Sequence, residues 1–162
     1  MNSDIIDLAA AAGRALRDKG WMLATAESCT GGGIAQAVTE IAGSSEWFDR
    51  GFVTYSNQSK SELLDVPAAL IERFGAVSEE VAQAMAAGAL ARSGARAGMS
   101  TTGIAGPGGA VPGKPVGTVC FGWALGDRTW TERHVFAGDR RAVREQSVAH
   151  ALRGLLRLLK EN

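Results

Sequence analysis

The chain has 162 residues, 46% of them hydrophobic and 21% charged, and its 17 basic and 17 acidic side chains cancel to a formal net charge of zero. That length suits one domain, 1–162, with a real core, and the cancelled charge excludes a general attraction to nucleic acid or to an anionic membrane surface. Two cysteines, Cys29 and Cys120, exclude a disulfide framework, and no apolar run approaches the ~20 residues of a membrane span, so the cytoplasm is the expected location.

Ile5, Leu8, Ala9, Ala12 and Leu16 fall on one stripe of an amphipathic helix that Gly20 closes in a left-handed cap. Asp4 and Asp7 stand where a secretory signal would carry positive charge. Residues 21–26 read as a short buried strand, and Ile34, Ala37, Val38 and Ile41 resume helical spacing up to Gly43, so TAESCTGGG is a strand-to-helix junction. Residues 52–55 form a second strand. The helix-compatible stretch 56–65 after it stops at Val66-Pro67, because a residue before proline disfavours the helical region. Ser78 caps a third long helix, with Glu79 and Glu80 in its first turn and Val81, Met85 and Leu90 on its apolar side.

Residues 97–104 read as a central strand entering a glycine-proline loop, 103–114. Residues 116–125 and 129–136 then flank Gly126-Asp127 as a hairpin. Val148, Leu152, Leu155, Leu156 and Leu159 trace a C-terminal helix with Asp139 as its N-cap. No repeat or linker interrupts this alternation. It predicts an α/β fold, a three-layer α/β/α sandwich with a mixed sheet including an antiparallel edge hairpin.

Ser28 falls where a strand ends and a helix begins, the usual crevice of an α/β sheet. Gly31, Gly32 and Gly33 let the backbone approach a ligand, and free amides at a helix start can hold an oxyanion, which makes Ser28 a candidate nucleophile. In the plainer reading Ser28 or Thr30 caps the helix and the glycines allow close packing. The G-x-S-x-G elbow is absent, since Ala26 and Glu27 precede the serine.

Cys29 competes as nucleophile because a helix N-terminus lowers a thiol's pKa, and it reads equally as a buried apolar group. His134 and His150 fall away from strand-end loops. The two histidines and two cysteines are far apart with no ligand spacing, so neither a metal nor a cofactor is expected. Without histidine the base must come from VTYSNQSK, where Tyr55 and Lys60 follow the second strand. A desolvated lysine loses its proton and can accept that of the Ser28 hydroxyl, whereas a solvated helix lysine cannot.

Gly103, Gly106, Gly108 and Gly109 could present amides to a phosphate, and Arg140, Arg141 and Arg144 open the last helix as a clamp or as a solvated basic turn. Gly108, four residues and then Gly113-Lys114 miss the phosphate-loop pattern because Pro115 follows. Gly31-x-Gly33-x-x-Gln36 fails the dinucleotide fingerprint at its last position.

Together TAESCTGG, FVTYSNQSK and GIAGPGG…KPVGTV, with GAVSEEV and GDRRAVREQ, resemble the CinA C-terminal domain family across residues 5–159. The resemblance implies a nicotinamide-nucleotide amidase that converts nicotinamide mononucleotide to nicotinic acid mononucleotide and ammonia, a step in pyridine-nucleotide recycling. Ser28 matches the family's serine, Tyr55 and Lys60 the Y-S-N-x-x-K positions, and Thr102 and Gly103 the S/T-G before I-A-G-P. It implies attack by Ser28 with Lys60 and Tyr55 as base, oxyanion donors around Thr30, Gly31 and Gly32, and a phosphate held by the Gly106 and Gly108 loop or by Arg140. Residues 110–113 replace a more polar stretch of the family. The implied partner is a small nucleotide substrate, with no nucleic acid or membrane, and an exposed apolar helix face could make a homo-oligomer. A nucleotide-binding module with Ser28 as a cap, and a hydrolase using Cys29, are the rival readings.

Overall fold

Two short strands of small and β-branched residues, β1 (Leu23–Glu27) and β3 (Ala97–Gly103), run parallel side by side and are buried along nearly their whole length. Strands buried on both faces need cover on both sides. The computed structural model describes all 162 residues, and its helices supply that cover. β2 (Phe48–Val53) pairs parallel with β1, β4 (Thr118–Leu125) pairs antiparallel with β3, and β5 (Arg128–Val135) pairs antiparallel with β4, in the order β2-β1-β3-β4-β5. α1 (Ser3–Lys19), α2 (Gly33–Thr39) and α6 (Arg140–Glu161) lie on one face, and α3 (Asn57–Leu64), α4 (Ala68–Phe74) and α5 (Glu79–Ala91) on the other. The expected three layers, mixed sheet and edge hairpin are all present, with Leu125 paired to Arg128 across Gly126-Asp127. No helix is long and apolar enough to cross a membrane.

The core is lopsided. The α1, α2 and α6 side holds a cluster of 24 buried residues and the other side one of 8, so burial against α6 supplies the larger share of hydrophobic stabilisation. Trp123 anchors that side: its indole N–H donates to the Ala151 carbonyl at 3.0 Å, and its ring rests against Gly154, where a Cβ would collide with it.

Caps follow the sequence. Gly20 is left-handed at φ 69°, Ser78 accepts from the Val81 amide at 3.2 Å, and Asp139 accepts from the Ala142 amide at 2.9 Å. Four boundaries differ. α4 was not expected and starts directly after Pro67, whose fixed φ suits a helix start. β2 begins at Phe48 and ends at Val53, because pairing to β1 recruits Asp49, Arg50 and Gly51, which have little strand propensity of their own. α2 ends at Thr39, whose hydroxyl turns back to the Ala35 and Gln36 carbonyls. β4 starts at Thr118, after Gly117 at φ 95°.

The two histidines, expected to be unrelated, meet between β5 and α6. The His134 and His150 rings lie 4.2 Å apart beside Phe121. Burial, and then the neighbouring His134, push the His150 imidazole below its usual range.

Candidate active site

β1 ends at Glu27, and this carboxylate folds back onto the open start of α2. It accepts from the Ile34 amide at 2.8 Å, the Ala35 amide at 3.1 Å and the Thr30 hydroxyl at 2.6 Å. A negative group on free helix amides is the arrangement the helix dipole favours. Burial raises the Glu27 carboxyl above its usual range, and the bonds from Thr30, Ile34 and Ala35 hold that rise back. The capping role considered for Ser28 or Thr30 therefore belongs to Glu27. The residue at the cap position itself is Gly32, at φ 100° and without a side-chain bond.

Relieved of capping, Ser28 meets Lys60. Ser56 caps α3 by accepting from the Ser59 amide at 3.1 Å, so Lys60 follows in the first turns and points under the sheet edge with only 1% of its surface exposed. Its Nζ is 3.1 Å from Ser28 Oγ, 2.9 Å from the Thr54 carbonyl and 3.3 Å from the Tyr55 carbonyl. Carbonyl oxygens only accept. In a neutral amine the two N–H bonds go to those carbonyls, and the lone pair, the remaining tetrahedral direction, faces the Ser28 hydroxyl proton. Burial lowers the Lys60 pKa from its ordinary 10.5.

Ser28 and Lys60 open into a cleft of about 240 Å³, walled on one side by Asn57 and Tyr55 and on the other by the loop after β3. Thr102, Gly103, Gly106 and Gly108 all line it, and Arg140 stands at its mouth. Gly106 is at φ 88°, and a Cβ there would strike Val116, so this turn of the loop requires glycine. Thr102 donates its hydroxyl to the Ala76 carbonyl at 2.8 Å and thereby ties the cleft floor to the segment before α5. Arg140 donates to the Gly106 carbonyl at 2.9 Å and to the Tyr55 hydroxyl at 3.1 Å.

Several expected residues have other tasks. Tyr55 is 62% exposed and touches Lys60 only through its carbonyl, while its phenol pairs with Arg140. Thr30, Gly31 and Gly32 do not line the cleft. The Gly31 amide donates to the Ser28 carbonyl at 3.0 Å, the Gly32 amide serves Glu27, and the Thr30 hydroxyl is shared between Glu27 and Thr101. The glycines serve the turn and its packing: Gly31 and Gly32 have positive φ, and a Cβ on Gly33 would stand 3.1 Å from Val148 of α6.

The Cys29 and Thr30 amides donate to no other residue, and of these two residues only Cys29 lines the cleft. Arg144 donates to the Cys29 carbonyl at 3.1 Å and to the Thr30 carbonyl at 3.4 Å, so it braces the Ser28 turn from α6. Behind that turn lies a separate cleft of about 260 Å³ lined by Thr30, Arg141 and Arg144, which leaves Arg140 as the arginine facing Ser28.

Cys29 is not an activated thiol. It is 6% exposed, and burial, then the nearby Glu27 charge, push its pKa up to about 12 instead of down. Glu27, Asn57 and the bracing role of Arg144 were missed from the sequence. Glu27 and Asn57 lay inside the two quoted motifs, one residue before Ser28 and three before Lys60.

The CinA C-terminal domain model matches residues 5–159. A curated relative from Pseudomonas putida named nicotinamide-nucleotide amidohydrolase PncC is 53% identical, over 95% of this chain and 96% of its own. One of the same name from Escherichia coli is 46% identical, over 99% of this chain and 98% of its own. A CinA superfamily structure from Klebsiella pneumoniae superposes with a TM-score of 0.95 at 38% identity and covers 100% of both chains.

Proposed function

The chain belongs to the CinA C-terminal domain family, and on that premise we propose that it is an amidohydrolase that cleaves the carboxamide of nicotinamide mononucleotide with Ser28 as nucleophile and Lys60 as base. The observation that carries the mechanism is the contact of 3.1 Å between Lys60 Nζ and Ser28 Oγ at the floor of an open cleft.

Lys60, a neutral amine, takes the hydroxyl proton as Ser28 Oγ bonds to the carboxamide carbon. The resulting ammonium returns that proton to the amide nitrogen, the carbon–nitrogen bond breaks, ammonia leaves, and Ser28 holds the nicotinoyl group as an ester. A water then attacks, giving its proton to Lys60. The ester opens, the proton passes to Ser28 Oγ, and nicotinic acid mononucleotide departs.

The Cys29 amide is the oxyanion donor this geometry favours over those of Thr30, Gly31 and Gly32, since it donates to no other residue and Cys29 lines the cleft while those three do not. Arg140, whose guanidinium already reaches the Gly106 carbonyl, is the group best set to meet the nucleotide phosphate. Asn57 and the Tyr55 hydroxyl line the same cleft as polar substrate contacts.

Ammonia release from nicotinamide mononucleotide by wild type and Ser28→Ala, with and without a chelator, tests this reading. Release by wild type alone, unchanged by the chelator, is expected. Binding of the nucleotide without release by wild type would leave a binding module in its place.

A further inference from the structure

The buried Nε2 of His150 makes no hydrogen bond of good geometry, with Glu132 Oε2 at 3.5 Å, an uncommon condition for a polar atom and one that asks for a reason. It lies between β5 and α6. Glu132 and His134, two residues apart, share one face of the strand there, and His150 comes from the helix above. Glu132 Oε1 is 3.2 Å from His134 Nε2, Glu132 Oε2 is 3.5 Å from His150 Nε2, and one donor atom from each residue falls within 4.8 Å of the other two.

Donors around a tetrahedral zinc ion, with bonds of about 2.0–2.1 Å, stand about 3.3–3.4 Å apart. Each imidazole nitrogen already stands close to that distance from one of the two Glu132 oxygens, 3.2 Å for His134 and 3.5 Å for His150. Phe121 closes the core side of the cluster, its ring 4.6 Å from His150 and 5.9 Å from His134. The side chains of Glu132, His134 and His150 are 32%, 37% and 20% exposed, so the outer edge of the cluster faces solvent.

We propose that Glu132, His134 and His150 bind a divalent transition metal of the zinc class and thereby tie the edge strand β5 to α6. Two imidazoles and one carboxylate select such an ion over magnesium or calcium, which prefer oxygen donors throughout. The competing cation is Arg157, whose guanidinium is 3.6 Å from Glu132 Oε2. Its side chain is 54% exposed and free to swing into solvent when the ion enters. None of the three ligands lines the Ser28 cleft, so the ion clamps the fold and takes no part in amide cleavage.

The test uses the tag-free chain, stripped with a chelator and then titrated with Zn²⁺ by calorimetry and with Co²⁺ by visible absorption. One equivalent should bind, the Co²⁺ spectrum should be that of a tetrahedral nitrogen and oxygen site, and a hundredfold excess of Zn²⁺ over its Kd should raise Tm by about 5–10 °C. His150→Ala and Glu132→Gln should each weaken Zn²⁺ binding at least about tenfold, the loss seen even for outer-sphere partners. His134→Gln, at the more exposed ring, should do the same and guards against a variant that merely unfolds. Absence of binding to wild type, undiminished binding to folded His150→Ala and His134→Gln, or thiolate charge-transfer bands with Co²⁺ would overturn the proposal.

Discussion

Replacing Lys60 by methionine removes the amine and keeps a side chain of similar reach in a slot that is 99% closed to solvent, so the loss of activity reports on the base. General-base assistance is worth about 10²–10⁴ in rate, or roughly 3–5 kcal/mol of barrier. The Thr54 and Tyr55 carbonyls lose their donor in this variant, at about 1–3 kcal/mol for each that stays buried and unpaired. Part of that is offset because a buried amine is no longer desolvated.

Ammonia release at saturating nicotinamide mononucleotide should therefore fall about 10²–10⁴-fold in kcat while the chain still folds. Adding Lys60→Met to Ser28→Ala should change little, because the two groups act as one unit. The pH profile carries a second signature. Only the neutral amine accepts a proton, and burial lowers the Lys60 pKa from 10.5, so wild-type kcat/KM should rise with pH to a plateau reached before an ordinary lysine would titrate. The Lys60→Met profile should lack that limb. Retention of more than about a tenth of kcat with the limb intact would refute the base assignment.

Glu27→Gln leaves the Ala35 amide facing an NH₂ group, so Tm should drop by several degrees for a loss of about 1–3 kcal/mol. The sign with pH also follows. A carboxyl whose folded pKa is raised contributes stability below 4.5 that is lost as pH rises through the folded value, so the wild-type margin in Tm over Glu27→Gln should narrow along that range. With its pKa near 12, about one Cys29 thiol in ten thousand is ionised at pH 8, so iodoacetamide should leave the native protein active and unlabelled at that residue by mass spectrometry. Gly154→Ala drives a methyl into the Trp123 ring, and urea unfolding should register a loss of about 1–3 kcal/mol with ammonia release retained in the folded fraction.

Periodicity made α1, α5 and α6 legible, since each has an apolar stripe and a capping residue whose chemistry is local: Gly20, Ser78 and Asp139. The bounds of β2 and the presence of α4 were not, because they depend on partners outside the segment, the β1 backbone in one case and α5 packing in the other. The site divides in the same way. Ser28 and Lys60 could be paired from the sequence because each follows a strand end, and adjacent parallel strands bring their ends to one crevice.

The task of Arg144 was invisible, as nothing in its helical turn says that its donors reach two carbonyls more than a hundred residues earlier in the chain. Glu27 was overlooked for a different reason. A carboxylate before a serine reads as solvent-facing until the sheet register buries it. The histidine pair needed both a hairpin and a returning helix before its rings could meet.

The brace from Arg144 to the turn at Cys29 and Thr30 also sets an order of events in biosynthesis. Ser28 and Lys60 precede in the chain both the loop that walls their cleft and the arginine that pins the nucleophile's turn, which belongs to α6. A nascent chain can thus carry both reactive groups without a finished cavity around them. Maturation of the site is deferred until α6 has been made.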